Sequence, residues 1–315
     1  MLHRYSEYGW LRGFNLVPSW GARIEQAWWD YDPAAFRREL APLRLLHANT
    51  IRLWLEFTAW MADPAGVLAS FLDAVAAADE HGLKTMPCLF NRWHDARWDY
   101  GGTYQENLTR DLTPHFEYVR AVVEPLAADE RVLIWDLCNE PATSSLAEPG
   151  AAYELHWLAA VADTVRRAGA QQPLTLGTHQ GGESMNIHAP LMDVLCCHPY
   201  AQGAEAVQRQ VARARAVQER WGKPMLCNEV GIGSLSDAAR AANARLELTA
   251  CAEAGWGWMG WAPHPGRAIS TRRDRYDANG VDGEGYHPWF DETGHPRPGL
   301  EWLQAPPIRR APWEG

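Results

Sequence analysis

Apolar runs of five to eight residues recur along this 315-residue chain and alternate with longer segments whose apolar positions repeat at helical spacing. That alternation predicts parallel strands joined by crossover helices. The runs at 11–17, 50–55, 83–90, 131–138, 174–178, 194–198, 225–229 and 257–261 are the eight expected strands. Helices are expected over 33–47, 63–81, 113–128, 150–168, 204–221 and 236–254. A short closing helix is expected at 298–304, and one or two helical turns within 180–193. The punctuation agrees. Pro33 and Pro114 sit where helices open, Ser236 is placed as an N-cap, and Gly82, Gly169, Gly222 and Gly255 follow helix ends. Eight strand–helix units without a linker or composition break favour one closed (β/α)8 TIM barrel over residues 1–315, rather than a doubly wound sheet. No glycine-rich phosphate fingerprint follows the first strand, which weakens the doubly wound alternative further.

A barrel of this kind carries its chemistry at the C-terminal ends of its strands. There the sequence places Arg52 and Glu56, Asn91 and His94, Asn139 and Glu140, His179, His198 and Tyr200, Asn228 and Glu229, and Trp261 and His264. Two strands, Ile134-Trp135-Asp136-Leu137-Cys138-Asn139-Glu140 and Met225-Leu226-Cys227-Asn228-Glu229, each run apolar into a glutamate. A carboxylate at the mouth of a buried strand is costly unless it is paired or hydrogen-bonded, so two at matching depth point to a purpose. On strands four and seven they face each other across the barrel mouth. Opposed carboxylates suit cleavage of a glycosidic bond: one protonates the leaving oxygen while the other attacks or activates water. Around them Asn139 can donate to a sugar hydroxyl, Tyr200 can donate to a carboxylate, Arg52 can pair with one, and Trp261 offers a floor for a sugar face.

Composition narrows the partners. The formal charge is −10 and basic residues are scattered, so nucleic acid is not an expected partner. No uncharged apolar run approaches a membrane span, and the N-terminus lacks the apolar core of a secretory signal, so a cytoplasmic location is expected. Cys88, Cys138, Cys196, Cys197, Cys227 and Cys251 lie inside apolar runs and are read as buried thiols without a disulfide. Seventeen tryptophans suit either sugar stacking or a large core.

Four features together resemble glycoside hydrolase clan A. They are Asn139-Glu140-Pro141 after an apolar strand, His198-Pro199-Tyr200 about sixty residues later, a strand ending in Glu229-Val230-Gly231, and Gly257-Trp258-Met259-Gly260-Trp261 on the last strand. Within the clan, the cellulase- and mannanase-containing family 5 and its cellulase-like bacterial relatives are most similar, and Gly13-Phe14-Asn15-Leu16-Val17-Pro18-Ser19 is similar to the opening strand of that group. The resemblance implies a retaining β-glycosidase acting on gluco-, manno- or xylo-configured oligosaccharides. Glu140 would be its acid/base and Glu229 its nucleophile. It further implies that Asn139 meets the 2-hydroxyl, that Arg52 and Tyr200 steady Glu229, that His198 lines the subsite of the cleaved sugar, and that Trp261 is its platform, with a cis peptide after Trp261. The negative charge of Glu229 would raise the pKa of Glu140 and leave it protonated as the acid. No metal or organic cofactor is needed. One departure concerns Phe90-Asn91-Arg92-Trp93-His94-Asp95, where family 5 usually carries a histidine pair. Asn91 or His94 takes that place, with Trp93 a further substrate-binding candidate.

Blander readings stand beside these. Adjacent Cys196 and Cys197 point to opposite faces of a strand and so are a poor metal pair. Trp20, Trp28, Trp29, Trp93 and Trp98 are expected in loops at the open end, as sugar subsites or as packing. Trp135, Trp157, Trp221 and Trp302 are expected to pack the core. Glu56, His179 and His264 are secondary pocket candidates. The long loops 91–111 and 263–289 would close one end of the cleft and favour an exo or oligosaccharide-preferring activity. Other functions with the same residues are a transglycosylase, a non-catalytic glycan-binding barrel and a metal-dependent hydrolase.

Overall fold

The computed structural model describes residues 5–91, 111–273, 286–307 and 309–314. Its eight strands are β1 (Arg12–Leu16), β2 (Thr50–Trp54), β3 (Lys84–Cys88), β4 (Trp135–Asn139), β5 (Leu174–Gly177), β6 (Leu195–Cys196), β7 (Met225–Val230) and β8 (Gly257–Gly260). All pairings are parallel, and the order β5-β4-β3-β2-β1-β8-β7-β6 runs almost the whole way round. A bridge between Thr178 and Cys197 joins the two ends, with His198 N donating to Thr178 O over 2.8 Å. The expected (β/α)8 barrel is therefore the observed one.

Nine helices surround it among the described residues: α1 (Ile24–Trp29), α2 (Pro33–Leu40), α3 (Phe57–Ala62), α4 (Pro64–Glu80), α5 (Thr113–Val123), α6 (Ala151–Arg167), α7 (Glu183–His188), α8 (Ala204–Trp221) and α9 (Asp237–Ala254). Local chemistry fixes their ends. Asp32, Asp63 and Ser236 cap α2, α4 and α9 by accepting first-turn N–H groups, and Gly222 and Gly255 close α8 and α9 at φ of 60° and 76°. Two expected helices stop early. The segments 33–47 and 113–128 each tighten into 3-10 turns, Ala41–Leu46 and Glu124–Leu126, where Pro42 and Pro125 withhold an N–H from the α-helical ladder. The expected closing helix is likewise a 3-10 turn, Glu301–Gln304. The short helices α1 and α3, in the loops after β1 and β2, have no counterpart in the sequence pattern.

Two apolar layers follow from strand alternation. Ile51, Leu53, Leu137, Cys197, Cys227 and Trp258 face outward into the core beneath the helices. Leu11, Met86, Ile134, Cys196, Leu226 and Met259 fill the lower barrel interior, where Trp10 and Tyr8 join them. Cys196 and Cys197 thus face opposite ways, and all six cysteines are buried free thiols. Trp135 and Trp157 are fully buried, whereas Trp221 and Trp302 are only half-buried at the core margin. No helix among the described residues is long and apolar enough to cross a membrane.

Candidate active site

Above the apolar layer the barrel interior turns polar, with Asn15, Arg52, Asp136, Asn139, Asn228 and Glu229 buried on β1, β2, β4 and β7. Arg52 on β2 is fully buried and is the hub. Its guanidinium donates to Asp136 Oδ2 on β4 at 2.8 Å, to Asn15 Oδ1 on β1 at 2.9 Å, to Asn139 Oδ1 at 3.0 Å and to Glu229 Oε1 on β7 at 2.6 Å. Tyr200, after β6, donates to the other oxygen of Glu229 at 2.7 Å. The nucleophile candidate therefore has both oxygens hydrogen-bonded and its direction fixed, as charge-assisted bonds require.

Glu140 follows β4 in the left-handed region, at φ of 45°, and its N–H donates to Gly177 O over 2.7 Å. Tyr200 is also left-handed, at φ of 35°. Such strain in non-glycine residues persists only where the surroundings over-determine it. A β-bulge helps to aim Glu140: the β4–β5 register shifts between Asp136 and Asn139, so Leu137 and Cys138 both join the outer core and Asn139 returns inward. β7 shifts in the same way between Cys227 and Val230, around Glu229.

His198 stands between the two glutamates. Its Nδ1 lies 2.7 Å from Glu140 Oε1 and 3.4 Å from Glu229 Oε2. One donor atom from each of Glu140, His198 and Glu229 falls within 4.8 Å of the others. That spacing is compatible with metal ligation, but the Arg52 guanidinium at 2.6 Å from Glu229 opposes a cation there. Gly177 is required beneath this cluster, since a Cβ there would meet His198 Nε2 at 2.5 Å.

The cluster opens into a cavity of ≈ 740 Å³ lined by Asn91, Asn139, Glu140, His179, Tyr200, Glu229, Trp54 and Trp261, among others. The peptide between Trp261 and Ala262 is cis, as the resemblance implies, and the Trp261 ring lies 5.1 Å from that of Trp54. Asn91, after β3, accepts from Asn139 Nδ2 at 3.1 Å and lines the cavity. His94 and Trp93 lie outside the described residues.

The cellulase model of glycosyl hydrolase family 5 matches residues 40–266. The chain belongs to this family. No curated protein sequence matches it. Among solved structures, the exo-β-1,4-mannosidase Op5Man5 from Opitutaceae bacterium strain TAV5 is similar at 22% identity and a TM-score of 0.69, over 93% of this chain and 58% of that one. This chain thus spans little more than half the length of that mannosidase. The GH5_18 protein from Streptomyces cattleya in complex with GlcNAc aligns at 17% identity and a TM-score of 0.71, over 95% and 80% of the two chains. The hyperthermostable endo-1,4-β-D-mannanase from Thermotoga petrophila RKU-1 aligns at 16% and 0.65, over 92% and 98%.

In this family 5 glycoside hydrolase one electrostatic expectation is overturned. Glu140 was expected to be held protonated by the charge of Glu229. Burial does oppose its ionisation, but hydrogen bonds from His179 and His198, and their charge, hold its pKa below the usual carboxylate range. His198 is shifted upward: burial disfavours its charge, and Glu229 and Glu140 outweigh that. The interposed imidazole is the reason for the reversal.

Two residues that the sequence left without roles set the state of that imidazole. Asn228 Nδ2 donates to Asp136 Oδ2 at 2.8 Å, which turns Asn228 Oδ1 toward His198 Nε2 at 2.7 Å. An oxygen there requires the proton on Nε2, so Nδ1 faces Glu140 across one shared proton. Asp136 and Asn228 are inward-facing strand positions two residues beyond Ile134 and Leu226, so the period-two pattern marks them as polar residues in the barrel interior.

The secondary candidates divide. His179 lines the cavity, 3.4 Å from Glu140 Oε2. Glu56 instead caps α3 by accepting from Thr58 N at 3.2 Å, and His264 is bonded to Glu39 O at 2.7 Å. Of the loop tryptophans, Trp28 is buried against the cavity with its indole donating to Trp54 O, while Trp29 is exposed and Trp20 packs on the core.

Proposed function

We propose that this enzyme hydrolyses β-linked oligosaccharides of manno, gluco or xylo type with net retention, and prefers exo attack or short substrates. The observation that carries this reading is the close approach of the Glu140 and Glu229 oxygens, within 4.8 Å. Retaining enzymes set their carboxyl groups about 5 to 5.5 Å apart, whereas inverting ones leave about 6.5 to 9.5 Å for a water. Glu229 attacks the anomeric carbon as Glu140 gives a proton to the leaving oxygen, and a glycosyl ester forms on Glu229. Glu140 then takes a proton from water, which attacks the same carbon and frees Glu229. The proton needed first is held in the 2.7 Å hydrogen bond between His198 and Glu140, and shifts onto Glu140 as the leaving oxygen gains charge. Trp261 and Trp54 supply the apolar face for the sugar.

The mannosidase and mannanase likeness puts manno-configured substrates first in a panel of aryl β-glycosides and short oligosaccharides. Glu229→Ala should abolish turnover. Glu140→Ala should spare good leaving groups and lose poor ones, and the first-formed sugar seen by proton NMR should be the β-anomer. An α-anomer as first product, or equal loss for all leaving groups in Glu140→Ala, overturns the reading. Transfer to an added sugar acceptor in preference to water would redefine the enzyme as a transglycosylase using the same two glutamates.

A further inference from the structure

The loops that follow the two central glutamates are held from behind in the same way. Glu154, in the first turn of α6, is buried, and its oxygens accept from Ala142 N at 2.8 Å and Thr143 N at 2.6 Å, two and three residues after Glu140. Glu247, in the middle of α9, is equally buried. Its oxygens accept from Gly231 N at 2.9 Å, two residues after Glu229, and from Ala201 N at 3.0 Å, directly after Tyr200. Glu247 therefore ties together the two loops whose side chains, Tyr200 and Glu229, meet at 2.7 Å.

A buried carboxylate held by backbone donors is a costly way to fill a helix–barrel interface, where apolar side chains serve elsewhere in this chain. Of the N–H groups so held, that of Ala201 directly follows left-handed Tyr200, and those of Ala142 and Thr143 lie two and three residues beyond left-handed Glu140. A carboxylate can accept both N–H groups of a loop, and an amide of the same shape can accept only one. We infer that Glu154 and Glu247 are positioning residues, which lock the proton donor and the nucleophile of the reaction in register through the backbone behind each. The inference rests on the retaining roles proposed above for Glu140 and Glu229.

Glu154→Gln and Glu247→Gln separate the two clamps. In Glu154→Gln, kcat/KM should fall about tenfold for poor leaving groups and little for good ones, because only proton donation is misaligned. In Glu247→Gln, kcat should fall about tenfold for both kinds with KM nearly unchanged. Combining it with Tyr200→Phe should cost no more than the larger single loss, because both act through one hydrogen bond to Glu229. Should a glutamine variant fail to fold, Glu154→Asp and Glu247→Asp keep the charge but fall short by one methylene, and should show the same pattern more weakly. Wild-type kinetics, an equal loss across leaving groups in Glu154→Gln, or multiplying losses in the Glu247→Gln, Tyr200→Phe pair would overturn the inference. Failure of the retaining reading is distinct: it shows in Glu229→Ala retaining turnover or in an inverted product.

Discussion

The two halves of the barrel interior are built from the same strands at alternate positions, yet their chemistry is opposite. At the closed end Ile134, Cys196, Leu226 and Met259 form an apolar layer, capped by Tyr8 and Trp10, with Trp313 set edge-on to Trp10 at 5.0 Å. Two residues further along the same strands lie Asp136, His198, Asn228 and Trp261. One pleat repeat, about 7 Å, separates a layer that stabilises the fold from a layer that performs chemistry. The lesson is one of dependence: Arg52 and Asp136, both fully buried, are tolerable because each satisfies the other above a floor that excludes water.

Substitutions in the two layers should therefore behave differently. The largest effect belongs to the upper layer. Glu229→Ala should lower kcat by about four orders of magnitude, with a melting temperature near wild type, as steady-state kinetics and calorimetry would show. Next, Arg52→Met should cost both function and about 3–5 kcal/mol of stability, because it strands Asp136 and Glu229 without their shared partner; denaturant unfolding checks the second part. In the lower layer, Leu226→Ala should cost about 2–5 kcal/mol through the cavity it leaves, with kcat/KM of the folded enzyme unchanged. A large activity loss there would break the separation of the layers.

The smallest effect sharpens the comparison by pH. Burial pushes the Glu247 carboxyl from 4.5 up to about 7, and the N–H groups of Ala201 and Gly231 offset this only in part. Holding Glu247 as the carboxylate that accepts both N–H groups therefore costs the fold stability, and protonation relieves that cost. That contribution to stability is complete below pH 4.5 and is lost as pH rises to about 7. Unfolding of wild type and Glu247→Gln at about pH 5 and pH 8 should show this fall, up to about 3 kcal/mol, in the wild type alone.

Much of this was legible in the chain. Apolar runs located all eight strands, and the polar residues at their ends included Arg52, Asn91, Asn139, Glu140, His198, Tyr200, Glu229 and Trp261, which the structure gathers around one cavity. Other parts were hidden for identifiable reasons. Pro42 and Pro125 shortened two helices by a local rule that periodicity overlooks. Glu154 and Glu247 carry no signal of their own in the sequence, because nothing in a helical segment says which loop it will back against. The electrostatics of Glu140 were hidden because they depend on His198 lying between two carboxylates that are 89 residues apart in the chain (140 to 229).

The sequence by itself determined the strand–helix alternation, the barrel it closes into and the residue types at the barrel mouth, because periodicity and chain punctuation are local properties. Only the tertiary structure decided which carboxylate faces which donor, where the proton rests and which helix holds which loop. Those are set by contacts between strands remote in sequence, and a shift of one residue at a β-bulge is enough to reassign them.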